Sequence, residues 1–295
     1  MLTFFVPPGI GDFSAMYAKL CKLEREVTIR PSVDRPNRIS EYLDILPRIR
    51  NGGYSANGAN LTLARTLPPK TDLQNLPDGE YFLAINTWLE GGGKAADWIP
   101  GPTEYHYQML KPMEHFRPAY DFLKNIPPGL QVGVYCSAYG NSRHWGFWGF
   151  EEWKTFLGLV VKALPDTTNY IFIGAEYDLG ISENLFLWAK CAGLRAHNAV
   201  GKFHIAGTLE IIRSLNYFFV FPSGLGFLAD VLRTPNLMWF PSALDLMRGT
   251  FCDPEQYESG RTLHRLFSTP EEAFEDWKQN GLKFAEEVYE SKNCD

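Results

Sequence analysis

The chain lacks most of the signatures that assign a chemistry outright. Its five cysteines, Cys21, Cys136, Cys191, Cys252 and Cys294, are scattered, odd in number and never spaced as CxxC. That excludes the usual zinc-ligand spacing and a paired disulfide framework, and it fits reduced thiols in a cytoplasmic protein. Positive charge is not in excess: the formal net charge is −6, so no global field draws nucleic acid or anionic lipid. The six histidines form no HExxH or HxH pair, and neither a GxSxG elbow nor a Gly-Lys-Ser/Thr phosphate loop occurs. A basic leader followed by an apolar core and a cleavage site is missing as well, so no signal peptide is expected. The longest apolar-rich region, 215–232, is broken by Pro222, Ser223, two glycines and Asp230, and does not read as a membrane span. No repeat of solenoid period is visible.

What the chain does contain is ample apolar material. Its 295 residues are 45% hydrophobic and 15% aromatic, enough for one large domain or two ordinary ones. Apolar runs alternate with helical patterns, which predicts an α/β architecture. A strand at 2–6 leads through two glycines into a helix from about Asp12 to Leu23, and 26–30 and 81–86 read as further strands. Ile126-Pro127-Pro128-Gly129 is the best linker signal. A fresh alternation then begins, with strands at 131–136, 170–174, 217–221 and 236–240, a short apolar 202–206, and helices at 151–164, 182–191, 208–214 and 224–232. Thr269-Pro270-Glu271-Glu272 opens a last helix, with a Thr cap and Pro in first position. The expected division is 1–127, 128–268 and a C-terminal helix 269–295 packing back on the first domain.

Several strand ends carry chemistry. Gly9-Ile10-Gly11-Asp12 turns from the first strand into a helix and offers an ionisable carboxyl where open α/β sheets bind ligands. Asp12 is therefore a candidate general base or, more simply, a helix cap. Ser223-Gly224-Leu225-Gly226 follows a strand and opens a helix, a place for a phosphate or for a tight turn that needs glycine. Glu176, in Gly174-Ala175-Glu176, can accept ribose hydroxyls or stand as a solvated loop residue. Gly207-Thr208 marks another strand-to-helix junction, where Thr208 either caps the helix or touches a nucleoside. Ser137 opens an aromatic loop that contains Arg143, whose guanidinium suits a diphosphate.

Taken in order, these motifs resemble GT-B glycosyltransferases of the ADP-heptose:lipopolysaccharide heptosyltransferase type. The matching residues are Gly11-Asp12, Ser137…Arg143-His144-Trp145…Trp153, Gly174-Ala175-Glu176, Gly207-Thr208-Leu209 and Ser223-Gly224-Leu225-Gly226…Ala229. Pro222 replaces the family's Asp before Ser-Gly, and Phe227 or Leu228 stands where the family has His. The glycine-rich 88–98 segment and Arg35-Pro36-Asn37-Arg38 look more like divergent phage-type relatives. The resemblance implies an α/β GT-B fold, two Rossmann-like domains facing across a cleft, with an acceptor-binding first domain and a nucleotide-sugar-binding second one. It implies an inverting glycosyltransferase with Asp12 as general base, no metal and no cofactor beyond the nucleotide-diphosphate sugar. Donor contacts would come from Gly9, Gly11, Ser137, Arg143, Glu176, Gly207, Thr208, Ser223, Gly224 and Gly226, and acceptor contacts from Arg35, Trp88 and Glu90. The acceptor is a glycan or a 5-hydroxymethylated base of phage DNA, for which Arg30, Arg35, Arg38, Arg48 and Arg50 would form a local basic face. A sugar-nucleotide epimerase or hydrolase, or a non-catalytic sugar-nucleotide-binding protein, remains an alternative on the same scaffold.

Overall fold

The computed structural model describes residues 1–6, 9–20, 23–32, 39–54, 64–67, 71–82, 116–136, 148–240, 258–266 and 268–293. The chain divides into two compact units, 1–113 with 247–253, and 114–246 with 254–295. The glycine-rich 88–98 segment lies outside the described residues.

In the first unit, five strands are described: β1 (Leu2–Val6), β2 (Val27–Pro31), β3 (Ile49–Asn51), β4 (Arg65–Thr66) and β5 (Gly79–Phe82). They form one sheet in the order β3-β2-β1-β5-β4, and every pairing is parallel. β1 is central and buried throughout, which is why it reads as an unbroken apolar run. Phe4 lies opposite Ile29 on one side and Tyr81 on the other. Helices α1 (Ile10–Leu20) and α2 (Ile39–Ile45) meet through Phe13 and Tyr42, whose rings sit edge-on at 6.2 Å. α1 starts two residues earlier than the sequence suggests.

The second unit carries β6 (Gln131–Tyr135), β7 (Asn169–Phe172), β8 (Arg195–Asn198), β9 (Tyr217–Val220), β10 (Asn236–Phe240) and β11 (Thr262–Leu266). Their order, β8-β7-β6-β9-β10-β11, is the doubly wound 3-2-1-4-5-6 arrangement, again wholly parallel. Its helices are α3 (Arg117–Lys124), α4 (Phe150–Ala163), α5 (Leu179–Cys191), α6 (Ile205–Ser214), α7 (Gly224–Val231), α8 (Pro270–Asn280) and α9 (Leu282–Asn293). Two boundaries differ from the sequence reading. The units part at 113/114 rather than at 127/128, because α3 packs on α6. Residues 269–293 fold into the second unit: α8 packs on α4, and Ala273, Phe274, Trp277, Phe284 and Ala285 join that unit's core. The capping at 269–272 is as expected. Thr269 Oγ1 accepts from Glu272 N at 3.3 Å, and Glu272 Oε2 accepts from Thr269 N at 3.1 Å.

The core of this unit is aromatic. Trp148, Trp153, Phe156, Phe221 and Trp239 pack with ring centroids between 4.7 and 6.2 Å apart. Phe219 joins Phe156 at 4.9 Å and Trp277 at 5.2 Å. At the far edge, a buried polar cluster ties α7 to β10 and β11. Asp230 Oδ1 accepts from Asn236 Nδ2 at 2.7 Å and Thr262 Oγ1 at 3.2 Å, while Asp230 Oδ2 lies 3.1 Å from His264 Nε2. On α6 the buried Glu210 carboxyl sits 3.0 Å from the Arg213 guanidinium. Burial raises its pKa above the ordinary 4.5, and Arg213 offsets this in part.

Two stability outcomes follow from these contacts. Trp239→Ala empties the centre of the aromatic core and should cost about 3–5 kcal/mol in denaturant unfolding; a loss under about 1 kcal/mol would contradict the packing. For Glu210 the folded state favours the protonated acid. Its contribution is therefore intact below pH 4.5 and is lost as pH rises through the raised folded value. Glu210→Gln removes that cost, so at pH 7 the variant should melt higher than the parent. The gain should vanish at low pH; an equal gain at all pH values would refute the assignment.

Candidate functional site at the carboxyl edge of the second sheet

Because all six strands of the second sheet are parallel, the segments that follow β6, β7, β8 and β9 emerge at one edge. The strand order reverses between β6 and β9, so the switch-point crevice lies at Tyr135-Cys136 and Phe221-Pro222-Ser223. Tyr135 and Cys136 are buried there, and burial pushes both the phenol and the thiol far above their ordinary pKa values. Cys136 is accordingly a protonated packing residue at neutral pH.

After β7 the chain stays paired for one more residue, Ile173 N donating to Val134 O at 2.9 Å. Gly174 and Ala175 then lead into a single 3-10 turn, Glu176–Asp178. Glu176 is exposed at this strand end, whereas Asp178 is only 4% exposed. Asp178 Oδ2 accepts from Ala175 N at 2.8 Å.

After β8, the expected apolar 202–206 segment is a turn running into α6. The helix begins at Ile205, and His204 caps it, Nδ1 accepting from Ala206 N at 3.2 Å. Thr208 is thus not a cap. It lies one turn inside the helix, 4% exposed, with Oγ1 donating to His204 O at 3.3 Å. Gly207 is buried beside it. The residue that does the capping, His204, carried no signal in the sequence beyond its place before the apolar run.

After β9, Ser223 caps α7. Its Oγ accepts from Gly226 N at 3.1 Å, so the Gly226 amide is committed within the protein. The amides of Gly224 and Leu225, first and second in the helix, have no carbonyl one turn earlier to bond. These two, with the helix dipole, are what α7 offers an anion. Gly226 is needed for packing: a Cβ there would stand 2.9 Å from Met238 Cε and 3.1 Å from Phe221 O.

In the first unit, Gly9, Gly11 and Asp12 follow β1, which is also where that sheet's order reverses, between β1 and β5. Gly9 O accepts from Phe13 N at 3.0 Å, and Asp12 is third in α1, inside the first turn rather than at the cap. Arg48 and Arg50 line an open cavity of about 490 Å³ together with Glu26 and Asp44, so charge of both signs shares that surface. Arg48 also donates to Leu23 O at 2.8 Å. Ser137, Arg143, Arg35, Trp88 and Glu90 lie outside the described residues. Among the described residues, no group of three or more His, Cys, Asp or Glu is placed to hold a metal ion, and no helix is long and apolar enough to cross a membrane.

Comparison of the fold with solved structures agrees with this arrangement. An ADP-heptose lipopolysaccharide heptosyltransferase II of E. coli matches with a TM-score of 0.61 at 9% identity, covering 99% of this chain and 100% of the other. A family 9 glycosyl transferase of Veillonella parvula matches at 0.57 and 12%, covering 99% and 96%. A UDP-GlcNAc 2-epimerase of Methanocaldococcus jannaschii matches at 0.52 and 11%, covering 100% and 99%. The chain has the two-unit, Rossmann-like GT-B fold that these enzymes share. No family model matches the chain, and no curated protein matches it in sequence.

Ser223→Ala should cost about 1 kcal/mol in unfolding free energy and release the Gly226 amide to fast hydrogen exchange. Unchanged protection at Gly226 would contradict the cap.

Proposed function

We propose that this chain is an inverting, metal-independent glycosyltransferase, moving a sugar from a nucleotide-diphosphate sugar to an acceptor hydroxyl. The observation that carries the reading is the set of segments at the carboxyl edge of the second sheet. An exposed carboxylate at Glu176 suits ribose hydroxyls, and the α7 amino terminus suits a diphosphate. Full-length likeness of fold to two glycosyltransferases supports it.

In this reading Asp12 takes the proton of the acceptor hydroxyl as its oxygen attacks the anomeric carbon. The bond from that carbon to the diphosphate breaks with its electron pair, and the single displacement inverts the configuration. Charge grows on the leaving diphosphate, where the α7 amides and dipole, Ser223 and Arg143 oppose it, so no cation is needed. Ser137, Gly207, Thr208, Gly9 and Gly11 shape the donor site. The buried position of Thr208 confines it to holding the α6 turn. Arg35, Trp88 and Glu90 belong to the acceptor side.

A second reading, epimerisation or hydrolysis of a sugar nucleotide, is favoured by the epimerase of similar fold. Product analysis separates them: altered or free sugar without any acceptor would select the second. For the acceptor, a glycan is preferred over hydroxymethylated DNA, because acidic residues share the arginine-lined surface of the first unit. Failure to bind DNA even at low salt would remove the DNA acceptor.

The decisive variant is Asp12→Asn. It should bind nucleoside diphosphates as the parent does, while transfer falls by about 10²–10⁴-fold. Parent-level turnover would overturn the assigned base.

A further inference from the structure

The turn that carries Glu176 is held by two contacts, and one of them comes from a buried acid with no part in the reaction as drawn. Asp178 is 4% exposed at the start of α5, an unusual place for a carboxylate that could cap the same turn from solvent. Its Oδ2 accepts from Ala175 N at 2.8 Å, closing the turn immediately before Glu176. The Asp178 carboxylate also adds to burial in raising the pKa of the Tyr135 phenol at the carboxyl end of β6. The room is tight: a Cβ on Gly174 would stand 3.0 Å from Asp178 Cβ and 3.2 Å from its Oδ2.

The other contact is Gly201, in the turn after β8. Gly201 N donates to Gly174 O at 2.9 Å, and its φ of +65° is a left-handed conformation suited to glycine. A Cβ there would lie 3.2 Å from Glu176 Cα. The backbone of 174–176 is thus held between the Asp178 side chain and the Gly201 main chain, and Glu176 projects from a fixed base.

We infer that Asp178 is a positioning residue for nucleotide recognition: through Ala175 N it fixes the 174–176 turn so that the Glu176 carboxylate meets the ribose hydroxyls of the donor. This rests on the donor site proposed above. The pyrophosphate end of the same ligand is served by α7 and should not sense Asp178.

The test is calorimetric binding of ADP, GDP, UDP and CDP, with inorganic pyrophosphate as the probe without ribose. For the diphosphate that binds the parent most tightly, Asp178→Ala and Glu176→Ala should each weaken binding about tenfold, the worth of one charge-assisted hydrogen bond. The double variant should be no weaker than either single one, because both remove the same contact. Pyrophosphate affinity should stay within twofold of the parent. Asp178→Asn keeps an oxygen for Ala175 N and should restore binding to within about threefold; it also serves as the folded control if the alanine variant is unstable. Parent-like binding by Asp178→Ala, additive losses in the double variant, equal weakening of pyrophosphate, or failure of Asp178→Asn to restore binding would each overturn the inference. If the parent itself binds none of the four diphosphates, the donor-site reading fails first, a result readily told from a parent that binds and an alanine variant that binds equally well.

Discussion

Parallel hydrogen bonding in the second sheet is the constraint on which the rest depends. A parallel pair obliges the chain to cross back to the starting edge before each new strand, so every strand begins at one edge and ends at the other. Six such strands in the 3-2-1-4-5-6 order collect the turns after β6, β7, β8 and β9 along one rim. The aromatic core serves the same end. Tyr217 and Phe219 on β9, and Phe221 just after it, meet Trp153, Phe156, Trp239 and Trp277, which holds β9 in register between β6 and β10. A rigid centre fixes where the short rim turns emerge.

The inner strands were legible because both their faces are buried, which leaves an unbroken apolar run. β1, β6, β7, β9 and β10 are of this kind. β8 and β11 were not legible: they are edge strands with the sequences Arg-Ala-His-Asn and Thr-Leu-His-Arg-Leu, in which polar and charged groups break the run. The Pro127-Pro128-Gly129 stretch resembles a linker but is a tight entry to β6. Gly129 has φ +151°, and a Cβ there would stand 2.0 Å from Thr167 O. That is close packing inside one unit, not a hinge between two.

The candidate positions were legible where they follow a strand at the carboxyl edge of the second sheet, as at the exposed Glu176 and the half-buried Ser223. It was not legible where a polar side chain is buried. Asp178 reads in the sequence as one more loop acid, and only the fold buries its carboxylate against Ala175 N. Thr208 looked like a cap because threonine caps well, whereas the apolar Ile205-Ala206 already belong to the helix and hand that role to His204. The Gly226 amide looked available to a phosphate until Ser223 claimed it.

The buried Asp230 carboxylate bears on how the second unit closes. Its partners are Asn236, six residues later, and then Thr262 and His264, up to 34 residues further along. An enclosed acid without them would cost several kcal/mol, and Trp277 of α8 must still reach Phe219. The second unit is therefore closed by contacts of long sequence separation, and the rim turns of its sheet are not fixed until β11 and α8 have docked.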